Sequence, residues 1–145
     1  MDAYNIALIV HLLCAIFFVG FIFADVVVFR GLLLKYTQEE TQEIKETIYS
    51  YGVKIYPFFV LLLMGTGGFM FSKHINSNLG YFDTNLQILL WIKFILVLCI
   101  VIGVGYALSC RFRGKQEAGF MKNFHFFALI LGLLITVLAK VMFMV

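Results

Sequence analysis

Two ionisable side chains lie inside long apolar stretches of the sequence, His11 in the first stretch and Lys93 in the third. An ionisable group surrounded by a bilayer is costly, so its presence there indicates a functional role. A neutral imidazole binds metal ions or carries a proton near neutral pH, and an ammonium group holds a carboxylate where water is scarce. We therefore take His11 as a candidate metal and cofactor ligand, and Lys93 as a candidate catalytic and cofactor-binding residue.

A glycine-rich stretch in the second apolar run lies at the same depth as these two side chains. His11 lies about 8 Å, and Lys93 about seven residues, from the ends of their helices on one face of the membrane. Gly65 and Gly68 reach this level from the second helix, where small residues allow close approach and also serve plain helix packing. His74, at the end of that helix, could supply a second ligand above His11. Gly65, Gly68 and His74 are therefore candidate cofactor-binding residues.

Three chemistries could use a site at this level. A tetrapyrrole needs an imidazole for its iron, a cation for its carboxylates and room against glycines. A copper ion needs soft or imidazole ligands, which His11, Cys14, Met64 and Met70 could supply. A quinone or proton pathway needs a titratable pair, such as a neutral histidine beside a lysine. The structural alternative is a hydrogen-bonded core histidine that only joins two helices.

The remaining ionisable groups near the apolar runs have structural interpretations. Asp25 lies near the other end of the first run, and we expect it to form an ion pair with Arg30 or Lys54. His125 begins the fourth run on that same side, away from His11. The three cysteines lack the spacing of a zinc site or a CxxC motif, so we expect buried apolar side chains without a disulfide.

The composition is that of a membrane protein. Hydrophobic residues make up 63% of the 145 residues and charged residues 13%, against about 25% charged residues in soluble domains. Four apolar runs each reach the length of about 20 residues that a membrane-spanning helix requires, and their backbone groups must pair within the segment. The predicted spans are residues 5–29, 52–72, 86–108 and 123–143. We expect one domain over residues 1–145, an all-α integral membrane four-helix bundle, antiparallel and up-down-up-down, with short loops.

Basic side chains are concentrated on one side of this predicted topology. The connections between spans 1 and 2 and between spans 3 and 4, with their flanks, contain eight of them: Arg30, Lys35, Lys45, Lys54, Arg111, Arg113, Lys115 and Lys122. The other side has only Lys73 and Lys140. Because basic loops remain in the cytoplasm, we expect a multi-pass protein of a bacterial inner (plasma) membrane, with both termini outside. Residues 37–50, rich in Glu and Lys, are expected to form a solvated helix that leads into span 2.

The expected partners are the lipid bilayer and a tetrapyrrole or metal ion. The apolar surface could also accommodate a second copy of the chain or another membrane protein. Nucleic-acid binding is not expected, because the basic residues flank membrane spans and are not interleaved with exposed aromatic side chains.

Short motifs in helices 1 and 3 resemble two related membrane families. Residues 11–20 (HLLCAIFFVG) resemble the His…Trp-x-Gly opening of CopD-like copper-resistance membrane domains, with Phe18 where tryptophan is usual. Residues 91–97 (WIKFILV) resemble the lysine-bearing helix of that family and of the HemJ-type protoporphyrinogen oxidases, and residues 110–113 (CRFR) resemble its basic end. The resemblance covers the four-helix layout and these motifs.

Each resemblance implies a different function. The HemJ-type family implies b-haem binding and protoporphyrinogen oxidation, with its helix 1 histidine and helix 3 lysine at His11 and Lys93. The CopD-like family implies copper handling across the inner membrane. The chain departs from the first at residues 21–25 (FIFAD), where an aromatic-rich motif followed by Pro-Arg is absent, and from the second in lacking a histidine- or methionine-rich outer domain.

The sequence therefore predicts a membrane-embedded redox protein that binds haem or another tetrapyrrole at an outward-side site formed by His11 and Lys93. One alternative is a copper-handling transporter or accessory protein. Another is a small structural or assembly subunit without a cofactor. These alternatives differ in what the site binds, and they share the same predicted fold.

Overall fold

The computed structural model describes residues 2–76, 78–113, 123–142 and 144. These residues form helices and contain no β-strand. The four main helices, in chain order, are α1 (Ala3–Phe23), α2 (Gln38–His74), α3 (Asn85–Phe112) and α4 (Phe124–Val141). The prediction of an all-α chain is confirmed for this part of the protein.

Four helical stretches are long and apolar enough to cross a membrane, as the sequence predicted. They are Ala3–Leu34, Lys54–His74, Asn85–Cys110 and Phe124–Val141. Large apolar side chains on every one of the four remain exposed, for example Ile16, Leu61, Ile102 and Phe127. An apolar surface this extensive would be unusual in water and is consistent with contact to lipid.

The end of the first spanning stretch departs from regular α-helix. A π-helical turn, Ala24–Val28, follows α1, and a 3₁₀ segment, Phe29–Leu34, follows that turn. A π-turn holds one extra residue and changes the direction in which side chains point, and such turns are frequent at functional sites. Asp25 lies within this turn and is buried.

The helix α2 begins well before its apolar part. Thr37 caps its first turn: the Thr37 hydroxyl accepts from the Glu40 backbone N–H, and the Glu40 carboxylate accepts from the Thr37 backbone N–H at 2.8 Å. The Thr37 hydroxyl also donates to that carboxylate, at 3.0 Å. The bonds that the carboxylate accepts, first from the Thr37 backbone and then from its hydroxyl, hold the pKa of the exposed Glu40 carboxyl below its usual value. The helix continues without a break to His74, so the prediction that residues 37–50 form a helix leading into the second apolar run is confirmed, with Thr37 as its N-cap.

The main apolar core joins all four helices. It consists of buried side chains from α1, α3 and α4, namely Phe18, Ile22, Ile100, Ala128 and Leu129. Tyr56 and Val60 of α2 pack against this cluster. A second buried cluster, Ile75, Leu90 and Met142, packs together residues near the other ends of α2, α3 and α4. Between the two clusters the helices leave a cavity.

Candidate functional site

The cavity brings together most of the residues that the sequence singled out. It has a volume of about 210 Å³, and its walls include side chains from all four helices. His11, Gly68, His74 and Lys93 line it. Gly65 is not among the described residues that line the cavity, whereas Gly67 is. The depth count therefore identified the correct level of α2, and the packing of the helices selects which of its glycines face the cavity.

His11 is held against α2 by one hydrogen bond and one close contact. Its Nδ1 atom lies 2.9 Å from Oγ1 of Thr66. A Cβ atom placed on Gly67 would lie 3.0 Å from Cε1 of the same ring, which is closer than most side-chain carbons approach one another. The imidazole therefore lies against α2 at a position where the helix carries no side chain.

Lys93 projects from α3 into the same cavity and is half-buried. Within the described residues, both salt bridges belong to Asp25, and neither involves Lys93. Much of the surrounding wall is apolar, with Leu90 and Phe94 on the lysine's own helix and Phe18 on α1. The site thus contains a cation without a protein counter-ion among the residues that the structure describes.

His74 also lines the cavity and has partners of its own. Its Nδ1 atom lies 3.1 Å from the backbone carbonyl of Met70, and its ring centre lies 5.9 Å from that of Tyr4. Met64 and Met70, which carry thioether groups, also line the cavity. Cys14 is buried and is not among the lining residues. In the described ranges, no group of three or more His, Cys, Asp or Glu side chains could hold a metal ion.

A second polar cluster surrounds Asp25, which is only 5% exposed. Lys45 Nζ lies 3.1 Å from one carboxylate oxygen. The Tyr49 hydroxyl donates to the same oxygen, and the His125 ring pairs with the other. This cluster joins the end of the first spanning stretch to α2 and α4. We call it the Asp25 cluster.

We expected Asp25 to pair with Arg30 or with Lys54, and this prediction was wrong. The lysine beside its carboxylate is Lys45. Lys45 lies nine residues before Lys54, which is about 14 Å along the helix. Asp25 faces the earlier part of α2 because the two helices are already in register where Phe18 packs on Tyr56, with ring centres 5.2 Å apart. The expectation that Asp25 is held in an ion pair is confirmed, with a different cation.

Sequence reasoning missed four residues that the structure places in these two clusters: Thr66, Lys45, Tyr49 and His125. Thr66 had a detectable signal, because it is the one polar residue of the glycine-rich stretch at the level of His11. The depth count placed His125 and Asp25 on the same side of the membrane, but it did not show that they meet, because the two residues are 100 positions apart in the chain. Nothing in the local sequence of α4 indicates which neighbouring segment its first turn will contact.

Comparison of the chain with protein-family models, with curated proteins and with solved structures returned no match. The resemblance to the HemJ-type and CopD-like families stays a hypothesis that rests on the four-helix layout and the short motifs of helices 1 and 3. The site has to be interpreted from its own chemistry.

The side chains of the cavity suit a tetrapyrrole, but the volume of the cavity is too small for one. An imidazole on α1, an ammonium group on α3 and glycines on α2 supply an iron ligand, a carboxylate partner and a flat wall. The volume of about 210 Å³ is below the roughly 300–1,000 Å³ of ordinary small-molecule sites. A tetrapyrrole would therefore require the helices around the cavity to separate.

Proposed function

We propose that this protein is a membrane-embedded redox protein that binds haem or another tetrapyrrole between its four helices. The observation that carries the proposal is Lys93. It lines the same cavity as His11 and forms no salt bridge with any described residue. A cation in an apolar environment is stabilised when an anionic group binds beside it. A ligand with a carboxylate, an apolar body and a metal centre matches these surroundings.

Each residue has a separate task in this proposal. His11 would hold the iron through its neutral imidazole, and Lys93 would hold a carboxylate of the tetrapyrrole by a charge-assisted hydrogen bond. Gly68 leaves open space along α2, Gly67 lets the His11 imidazole lie against that helix, and the apolar side chains around them would exclude water. A bound haem supplies one-electron chemistry, while the protein supplies its binding and orientation.

The proposed membrane arrangement is an antiparallel, up-down-up-down bundle in a bacterial plasma membrane. Contacts of the first spanning stretch with α2 support it, because they run in opposite order along the two: His11 with Thr66, Phe18 with Tyr56, and Asp25 with Tyr49. The excess of basic side chains at the Asp25 end then makes that end cytoplasmic. The His11 cavity lies towards the outer side, together with both termini.

Reporter insertions test this orientation. A reporter placed after Asn78 should be active only in a format that works outside the cell, and one placed after Lys115 only in a cytoplasmic format. The opposite result would move the His11 cavity to the cytoplasmic side and would remove the orientation from the proposal.

The cofactor is tested by the absorption spectrum of the protein purified in detergent and reconstituted with haem. The wild type should show a Soret band, and His11→Ala should lose it, because no imidazole remains at that position. Lys93→Ala should bind haem more weakly, and Lys93→Arg should retain more haem than Lys93→Ala because it keeps the charge. Lys140→Ala, an exposed lysine of α4, is the matched control and should behave as wild type.

Two outcomes would refute the tetrapyrrole proposal. One is a wild-type protein that binds no haem after reconstitution. The other is equal haem content in wild type, His11→Ala and Lys93→Ala. If no metal is found either, two alternatives remain: a quinone or proton pathway, and a structural or assembly subunit without a cofactor.

A copper site is the second candidate, and the two methionines in the cavity wall favour it. Met64 and Met70 line the cavity together with His11 and His74, and thioether and imidazole groups are ligands for Cu(I). Metal analysis after dialysis distinguishes this candidate. Bound copper that is lost in Met64→Leu and Met70→Leu, without a Soret band in the haem-treated wild type, would replace the tetrapyrrole proposal.

A further inference from the structure

We infer that Thr66 is a positioning residue for His11: its hydroxyl oxygen accepts the Nδ1 proton of the imidazole, so that the unprotonated Nε2 is the atom that binds a ligand. The functional consequence rests on the proposed role of His11 as a ligand. The protonation pattern itself does not depend on that role and can be measured in the ligand-free protein.

The single hydroxyl proton of Thr66 determines the direction of its hydrogen bond with His11. Its hydroxyl lies 2.6 Å from the backbone carbonyl of Leu62 and donates to it, as threonine commonly does within a helix. A hydroxyl has one proton. The same oxygen lies 2.9 Å from Nδ1 of His11, and because its proton is already used, it can only accept there. Nδ1 must therefore carry a hydrogen.

Apart from His11, the described hydrogen-bond partners of the Thr66 hydroxyl are backbone carbonyls. The carbonyl of Leu63, 3.4 Å from Oγ1 of Thr66, is the second of them. If the hydroxyl instead donated to an unprotonated Nδ1, its oxygen would face two carbonyl oxygens without a proton between them. That arrangement is repulsive, so the Nδ1–H form is favoured.

Gly67 makes this geometry accessible. The ring can approach Thr66 because the neighbouring residue of α2 has no side chain, and an added Cβ would lie 3.0 Å from Cε1 and 3.5 Å from Nδ1. The ring would then have to move by a few tenths of an ångström, which would disturb its contact with Thr66. Gly67 and Thr66 thus form one small support for the imidazole.

This support resembles what metal-binding histidines generally need. One ring nitrogen binds the metal, and the other donates its proton to a fixed acceptor, which sets the tautomer and the ring orientation. Here the acceptor would be a hydroxyl that is itself tied to the backbone. The chain thereby prepares Nε2 as a ligand atom before any ligand arrives.

The test is ¹⁵N NMR of the haem-free protein labelled at histidine, at a pH where the imidazoles are neutral. The spectrum of His11→Gln identifies the His11 signals among those of the three histidines. Wild type should show a protonated Nδ1 and an unprotonated Nε2. Thr66→Val, which keeps the shape and removes the acceptor, should lower the ratio of the Nδ1–H to the Nε2–H form by about fivefold, the effect of one ordinary hydrogen bond. Thr66→Ser should restore the wild-type ratio.

Glycine variants provide a second measurement. Gly67→Ala should shift the His11 signals in the direction of Thr66→Val, because the methyl group moves the ring. Gly65→Ala is the matched control, since a Cβ there would meet nothing within 4 Å, and it should leave the His11 signals unchanged. An Nε2–H form in the wild type, or an unchanged ratio in Thr66→Val, would overturn the inference.

Haem reconstitution separates this inference from the proposed function. If wild type and Thr66→Val bind haem equally, with the same spectrum and reduction potential, Thr66 does not position the ligand atom, although the haem proposal stands. If wild type binds no haem but shows the Nδ1–H form, the proton assignment stands and the haem proposal fails.

Discussion

The polar residues of the His11 cavity and those of the Asp25 cluster differ in how many of their charged groups have a partner within the protein. In the Asp25 cluster, Lys45 and Tyr49 contact one oxygen of a buried carboxylate and His125 contacts the other. In the cavity, Lys93 has no salt-bridge partner within the described residues. A satisfied polar cluster stabilises a fold, whereas an unsatisfied one lowers stability and remains available to a ligand. We therefore expect the Asp25 cluster to stabilise the fold, and the His11 cavity to be where the proposed ligand binds.

The apolar core keeps these two clusters apart. His11 and Asp25 are fourteen residues apart on the first spanning stretch, which is about 20 Å. Phe18, Ile22, Ile100 and Leu129 fill part of the space between the two levels. Substitutions in one cluster should therefore leave the other largely unchanged, because distant sites without shared partners are usually additive.

The largest expected effect is on stability, at Asp25. Asp25→Ala should lower the free energy of unfolding by about 3 kcal/mol, the low end for a broken buried ion pair. The value is at the low end because the side chains of Lys45 and His125 are 23% and 44% exposed and can regain water. His11→Ala should lower it by only about 1 kcal/mol, since it removes one neutral hydrogen bond. Unfolding by SDS titration, followed by circular dichroism, measures both.

The control for this comparison is Asp2→Ala, because Asp2 is exposed and should be neutral. Haem content provides the second readout, and Asp25→Ala should bind as much haem per folded molecule as wild type. Unchanged stability with lost haem binding would place Asp25 in the functional site and would break the division between the clusters.

A smaller effect of opposite sign is expected at Lys93. Lys93→Met removes a half-buried charge without a described counter-ion and keeps an apolar side chain of similar length. The ligand-free protein should therefore become more stable by about 1 kcal/mol, while its affinity for haem falls. Lys140→Met, at an exposed position, should change neither quantity. A loss of stability in Lys93→Met would show that Lys93 has a structural partner and would contradict the binding assignment.

The smallest effect on stability is expected at the start of α2, where Thr37 and Glu40 form hydrogen bonds on the exposed surface. The lowered pKa of Glu40 means that its carboxylate stabilises the helix start above the ordinary pKa of a glutamate. This contribution is lost as the pH falls through the lowered value. Hydrogen exchange at residues 38–41, corrected for intrinsic rates, should therefore become faster as the pH falls through that range.

Glu40→Gln should show faster exchange at residues 38–41 already at neutral pH, and a weaker pH dependence than wild type. Glu43→Gln, another exposed acidic residue of α2, is the control. Equal protection in both variants would mean that the cap contributes nothing measurable. The Asp25 cluster would then be the only one of the two satisfied contacts with a stabilising effect.

The sequence alone determined where the helices lie along the chain and which of their residues share a level in the bundle. Apolar runs of about 20 residues have to form helices in a bilayer, because no water is present to pair with the backbone, and Thr37 with Glu40 marks the start of α2. Counting residues along such helices placed His11, Lys93, Gly65 and Gly68 at one depth. His11, Lys93 and Gly68 line one cavity, and Gly65 does not.

Only the tertiary structure decided which side chains meet. Whether Gly65 or Gly67 faces His11 depends on the rotation of α2 about its axis, and adjacent positions on a helix differ by about 100°. The hydrophobic pattern does not specify this rotation, because all sides of these helices are apolar. The partners of Asp25 likewise depend on the π-turn at Ala24–Val28 and on the placement of α4, which brings in His125. These contacts arise from packing between distant segments, and local sequence carries no record of that packing.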